Sequence, residues 1–228
     1  MMTKNWRRST LVAAAALLFV ATACSSGTDN TQPDPKFVDT SIFEAGGHVN
    51  AFMYAVPAEM ARERSTVVSG EIVGIRDGYE ILEEGAASEG YDVREHSVVL
   101  EIRVADLYKG SRADLDSSGS IFVTLSRGAQ QEGVVDDEGG PSTVVPVSAF
   151  EKAIPLGSEV IVMADPVQFS KSANISVIDP NRGLPEDGVL LAGLHPQALT
   201  FPTREGGTSA WGNGWTLEDV QAQLDAAF

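Results

Sequence analysis

The residues that could do chemistry in this chain are three histidines, two acidic runs, a pair of tryptophans and one cysteine. His48, His96 and His195 lie on separate stretches. They lack the short ligand spacing of a zinc site, so ordinary surface or strand-end roles are expected. Asp114, Asp116 and Ser118 followed by Gly119 open like a calcium loop, with oxygens at positions 1, 3 and 5. Position 12 is Leu125, however, where a bidentate Glu is required, so a turn between strands is the plainer reading. Asp136, Asp137 and Glu138 form the densest acidic run and are weak candidates for a cation, with a solvated loop as the alternative. No Gly-x-Ser-x-Gly, Ser-x-x-Lys or Gly-rich phosphate loop occurs. The 32 acidic residues offer carboxylate pairs, but nothing in their spacing singles out two. No catalytic residue, metal or cofactor is therefore assigned. Trp211-Gly-Asn-Gly-Trp215 sets two indoles around a turn, a possible binding surface for a sugar ring or a partner. The competing reading has Trp215 stapling the last helix and Trp211 covering the core.

The cysteine is Cys24, and its position is informative. Lys4, Arg7 and Arg8 precede an uncharged stretch of 13 residues, Leu11 to Ala23. That is too short to cross a bilayer as a helix, which takes about 20 residues, and fits a secretory h-region. The small residues Ala21-Thr22-Ala23 then lead into Cys24. This segment resembles the bacterial lipoprotein signal, departing from it at Ala21, where Leu is usual. The resemblance implies cleavage before Cys24, a diacylglyceryl group and palmitate on that cysteine, and a chain held on the outer face of the cytoplasmic membrane. A single-cysteine chain also suits an oxidising exterior.

Composition narrows the partners. The formal charge is −16. Without residues 1–23 the chain keeps 32 acidic against 13 basic side chains, a charge of −19. Nucleic-acid binding wants a basic stripe, and peripheral attachment to anionic lipid wants basic patches. Both are excluded as expectations, which leaves the lipid on Cys24 as the membrane hold. The expected organisation is a signal peptide at 1–23, a flexible Ser/Thr/Asp/Pro-rich tether at 24–50, and one β-rich domain at 51–228.

The elements that must position any site are mostly strands. Pro57 to Arg64 reads as a short helix with Pro in the first turn. Ser65–Arg76 is β-branched and alternating, so a strand is expected. Residues 77–95 read as a long acidic loop or frayed hairpin. From His96 to Tyr108, Val98, Leu100, Ile102 and Val104 alternate with Val99, Glu101, Arg103 and Ala105, the pattern of a half-buried strand. Strands are expected at 120–126 and at 159–164, which is apolar enough to be central, with an edge strand at 143–147. Weaker signals lie near 175–178, 189–191 and 198–201. Thr216 and Asp219 set an N-terminal cap, and Leu217, Val220, Leu224 and Phe228 form one apolar helix face.

The expected class is mainly β: a small Greek-key barrel or sandwich with a short N-terminal helix and a C-terminal helix packed on it. Tyr108-Lys109-Gly110, Gly119 before a strand and Leu156-Gly157 before the next are similar to the OB-like barrel of netrin-like and metalloproteinase-inhibitor-type domains, and to barrels of actinobacterial secreted proteins. The animal inhibitors use a free N-terminal cysteine and disulfides that this chain lacks, so their inhibitory role is not implied. The expected function is a non-catalytic binding or interaction module at the cell envelope, its partner an envelope protein or glycan. The alternative is a secreted, envelope-associated hydrolase using a carboxylate pair.

Overall fold

The computed structural model describes residues 37–46, 51–86, 90–131, 144–212 and 214–228. Among these described residues the backbone is mainly β, a mixed sheet of seven strands with three α-helices. The strands are β1 (Thr66–Glu83), β2 (Val93–Lys109), β3 (Ser120–Gln131), β4 (Glu159–Ala164), β5 (Ile175–Ile178), β6 (Leu190–Ala192) and β7 (Leu199–Thr200). The helices are α1 (Pro57–Glu63), α2 (Val147–Ala153) and α3 (Leu217–Asp225). The order across the sheet is β6-β3-β2-β1-β4-β7, with β5 alongside β1. All pairs are antiparallel except β3 with β6.

The central strand is β1, and it serves two neighbours on one side. Thr66–Glu71 pairs with β4, and Glu80–Glu83 pairs with β5. It manages both by coiling. The β1–β2 register shifts between Ser69 and Gly70, between Ile72 and Gly74, and between Asp77 and Glu80. Each shift is an irregularity that bends the strand. Gly70 and Gly78 sit where backbones or side chains of β2 come close. A Cβ on Gly70 would lie 2.3 Å from the Arg103 carbonyl, and one on Gly78 would lie 2.4 Å from Ser97 Oγ.

Alternation along the strands builds three apolar clusters. Val98, Leu100 and Ile102 of β2 join Ile121, Val123 and Leu125 of β3 and Val160, Val162 and Ala164 of β4, capped by Phe150 of α2 and Ile154 just after it. Val38 and Phe43, flanking the start of a 3₁₀ helix at Thr40–Gly46, pack here too, so residues upstream of 51 contribute to the core. The opposite face of β1 and β4, with Val67, Ile161 and Met163, seats Met60 and Ala61 of α1 and Leu217, Val220 and Leu224 of α3. The near-continuous apolar run of β4 is thus explained by burial on both faces. Val99, Phe122 and Tyr79 form a third cluster with Leu190.

Several expectations change in detail. Residues 77–83 continue β1 instead of opening a loop, because their partners in β2 and β5 complete the ladder. The expected edge strand near 143–147 is replaced by irregular backbone at 144–146 and then α2, with Pro146 at its N-cap. Phe228 lies beyond α3 and is 55% exposed, under the Lys109 ammonium, 5.9 Å from the ring centroid. It does not extend the apolar face of α3. The sheet is not closed. One antiparallel bridge, Pro166 to Leu191, carries the chain after β4 against β6. Val167 N–H donates to Leu190 O and Ala192 N–H to Asp165 O, each at 2.9 Å. Pro166 sits between these bonds, where its missing N–H costs nothing. Among the described residues, no helix is long and apolar enough to cross a membrane.

Candidate functional site

The face covered by α1 and α3 carries an aromatic rim. Tyr54, Tyr108, Trp211 and Trp215 are half-buried against the cluster beneath those helices. α3 is fixed there by its capping box: Thr216 Oγ1 accepts from the Asp219 N–H at 3.1 Å, and the Asp219 carboxylate accepts from the Thr216 N–H at 3.0 Å. Trp215 packs on the cluster containing Val220. Trp211 spends its indole N–H on Thr200 Oγ1 at 3.0 Å. Both tryptophans therefore help to hold the last segment of the chain down, while their remaining surface borders the rim.

Between the end of β2 and α3 lies a cleft of about 460 Å³, lined by Asp106, Leu107, Tyr108, Gln221 and Asp225. Asp106, Leu107 and Tyr108 of β2 line it together where the register against β1 shifts between Val67 and Val68, and α3 brings Gln221 and Asp225 one helical turn apart. Ser69 Oγ donates to the Asp106 carboxylate at 3.0 Å, which orients it. Burial pushes the Tyr108 phenol above its ordinary value, and the charges of Asp106 and Asp225 add to this against an opposing hydrogen bond with Ser69. The phenol thus stays protonated at neutral pH. The cleft presents two carboxylate acceptors, a hydroxyl donor and a carboxamide that can do both. That is the equipment to grip a cationic or hydroxyl-bearing group.

No known family model matches this sequence, and no curated protein is significantly similar to it.

A second polar assembly joins β1, β2, β3 and the turn after β5. Glu80, with a side chain only 15% exposed, accepts from Arg94 and from Arg182, each at 2.7 Å. Asp77 pairs with Arg127 at 2.7 Å and stands 3.5 Å from Arg182. Arg127 also donates to the carbonyls of Ser97 and Val145, at 3.0 and 3.2 Å. Arg182 closes onto the Asp179 carboxylate, and Asp179 holds a left-handed φ of 49° to start that turn. Arg94 holds the Glu80 carboxyl below its ordinary range, with Arg182 adding to the effect against burial. His96 Nδ1 lies 3.9 Å from Glu80, and no described residue hydrogen-bonds its buried Nε2. Burial pushes the imidazole below its usual value. The assembly occupies two register shifts, Asp77/Glu80 in β1 and His96/Ser97 in β2. Its carboxylates and guanidiniums are matched to one another, so it pins a turn to a bulged sheet. Sequence reasoning missed it. The signal was charges inside otherwise alternating strands, RDGYE and VREH, which read as loop.

The remaining candidates separate. Asp114 belongs to a one-turn 3₁₀ helix and accepts from the Ser111 N–H at 2.8 Å. Asp116 accepts from the N–H groups of Ser118 and Ser120 at 2.9 and 2.8 Å and from Ser118 Oγ at 2.7 Å. Burial works against its ionised form, but these bonds outweigh it and lower its pKa. The Asp114–Gly119 stretch is a hydrogen-bonded turn. His195 lies far along the chain from His96 and contacts Phe52 and Gln197. His48, Asp136, Asp137, Glu138 and Cys24 lie outside the described residues. Among the described residues, no group of three His, Cys, Asp or Glu side chains could hold a metal ion.

Proposed function

We propose that this chain is a lipid-anchored, extracytoplasmic binding module, held at the membrane through Cys24, with the β2–α3 cleft as its recognition site. The cleft lined by Asp106, Tyr108, Gln221 and Asp225 carries the binding part of the reading. The signal-like segment ending at Cys24 carries the address. The fold suits an OB-like barrel, in which one face and its loops bind; the Pro166–Leu191 bridge, linking the end of β4 to β6, supports that shape. The negative charge of the chain favours a partner that offers a cationic or hydroxyl-bearing group over a nucleic acid or a polyanionic surface.

The test is photo-cross-linking in intact cells from an aryl-ketone side chain placed at Gln221. A discrete adduct that Asp106→Asn and Asp225→Asn together diminish supports the cleft as the binding site. An unchanged adduct, or none, counts against it. The anchor is tested separately by the intact mass and detergent partitioning of the native protein beside Cys24→Ala. Acyl mass on a chain beginning at Cys24, lost in the variant along with membrane association, supports it.

A second reading has one observation behind it: Asp106 and Asp225 face the same cleft. An envelope-directed hydrolase would use one as acid and the other as base or nucleophile. Either single Asp→Asn change would then abolish glycan turnover while leaving the fold intact. A binding module would show no turnover to lose.

A further inference from the structure

The segments 51–54 and 193–197 form a platform that displays apolar side chains. Tyr54 N–H donates to Gln197 Oε1 at 2.8 Å, and Gln197 Nε2 donates back to Tyr54 O at 3.1 Å. Gln197 N–H donates to His195 Nδ1 at 3.1 Å. That makes Nδ1 the acceptor and leaves the proton on Nε2, which donates to Phe52 O at 2.9 Å. The rings stack in sequence: Phe52 stands edge-on to Tyr54 at 5.4 Å, and Tyr54 lies against His195 at 5.8 Å. Despite this bracing, Phe52 is 78% exposed, Met53 50% and Leu194 49%. Three of the exposed large apolar side chains of the described residues thus gather on one platform. Beside them Arg64 pairs with Asp165 at 3.0 Å, and the Glu63 carboxylate accepts a hydrogen bond from the Tyr54 hydroxyl.

Three side chains are too few for a free-standing protein interface, which buries about 800 Å² per partner. They suffice where the occupant is always at hand. With acyl groups on Cys24, twelve residues lie between the anchor and Phe37. Thirteen Cα–Cα steps span at most about 45 Å. A tethered surface meets the bilayer at a high effective concentration, so a weak contact is populated. Insertion of apolar side chains into the headgroup–acyl boundary needs no basic residues, which suits a chain of this charge.

We propose that Phe52, Met53 and Leu194 form a membrane-contact tip, which enters the bilayer that carries the anchor and so sets the orientation of the domain. This rests on the lipid-anchor reading above. The test uses the mature acylated chain carrying Met53→Cys. Cys24 is then blocked, so an environment-sensitive dye labels position 53 alone. A second protein carries Leu156→Cys, an exposed apolar position just before the far end of β4. Both are placed in phosphatidylcholine vesicles with and without brominated acyl chains. The expected result is a blue shift and bromine quenching at position 53, with neither at 156, and loss of the position-53 response when Phe52→Asp and Leu194→Asp are added. Equal responses at the two positions overturn the tip while leaving the anchor standing. A native chain without acyl mass overturns both. Self-association of the Cys24→Ala chain in sedimentation, abolished by Phe52→Asp, assigns the platform to a second copy instead and overturns the membrane tip.

Discussion

His96 is a half-buried imidazole near the Glu80 carboxylate and the Arg94 and Arg127 guanidiniums. Burial is the main cause of its lowered pKa; Arg127 and Arg94 add to it, and Glu80 opposes. An unfolded chain takes up a proton as the pH falls through about 6.5, and the folded one resists it. The unfolded state then binds more protons, so stability drops with acidification. Glu80 continues the trend at lower pH, since its depressed pKa makes its contribution present above the ordinary carboxylate range and lost below it. The urea midpoint should therefore be lower at pH 5 than at pH 7.5, and His96→Gln should flatten that difference. A midpoint that rises on acidification contradicts this account. At neutral pH, Glu80→Gln strips two guanidiniums of their shared partner. A cost of about 2–3 kcal/mol is expected, the partial exposure of Arg94 and Arg182 tempering what a fully buried pair would lose. Denaturant titration reads it directly.

At the scale of elements, the glycines of β1 make a ranked prediction. Gly70→Ala drives a methyl into the Arg103 carbonyl, and backbone in the middle of a sheet has little room to give. Gly78→Ala meets first the Ser97 hydroxyl, a group that can rotate at the expense of its 2.6 Å hydrogen bond to Tyr79 O. Both should lower the thermal midpoint, Gly70→Ala the more. For α3, Leu224→Ala removes a fully buried side chain and should cost about 2–4 kcal/mol, while Thr216→Ala removes the cap and should cost about 1 kcal/mol. The reverse order would mean that α3 is held by its own hydrogen bonds and not by its packing. The elements that could be read from sequence were those with an unambiguous period. Val98 to Val104 alternates cleanly, β4 is apolar on both faces, and α3 announces its cap at Thr216 and Asp219. The stretch 77–83 misled because a strand through a charge-paired bulge carries polar residues where alternation expects apolar ones. α2 was hidden by Pro146, which excludes a central strand and equally begins a helix. The cleft was not legible either, since Asp106 and Asp225 meet only through the packing of α3 onto β1 and β4.

For the whole molecule, the charge pattern and the distribution of apolar surface point the same way. The acidic chain leaves Phe52, Met53 and Leu194 uncovered in one place, while Trp211 and Trp215 are largely used in packing. The proposed anchor and the proposed membrane tip would together rest the domain on the bilayer. The proposed address rests on Lys4, Arg7, Arg8 and Cys24 alone, which lie outside the described residues. The cleft and platform needed the fold.

The docking of the first described residues has a consequence for how the chain reaches this state. Asp39 N–H donates to Ala153 O at 2.8 Å, and the Phe43 ring stacks on Phe201 at 5.7 Å. These partners lie more than a hundred residues downstream. Whether the chain leaves the ribosome or emerges from an export channel amino-end first, this segment appears early and must wait for its seat. The β1–β2–β3 meander pairs from local contacts and can form in the interval. The segment 37–46 is then expected to dock last. In pulse-labelled hydrogen exchange during refolding, the Asp39 amide should gain protection after those of Val99 and Val123.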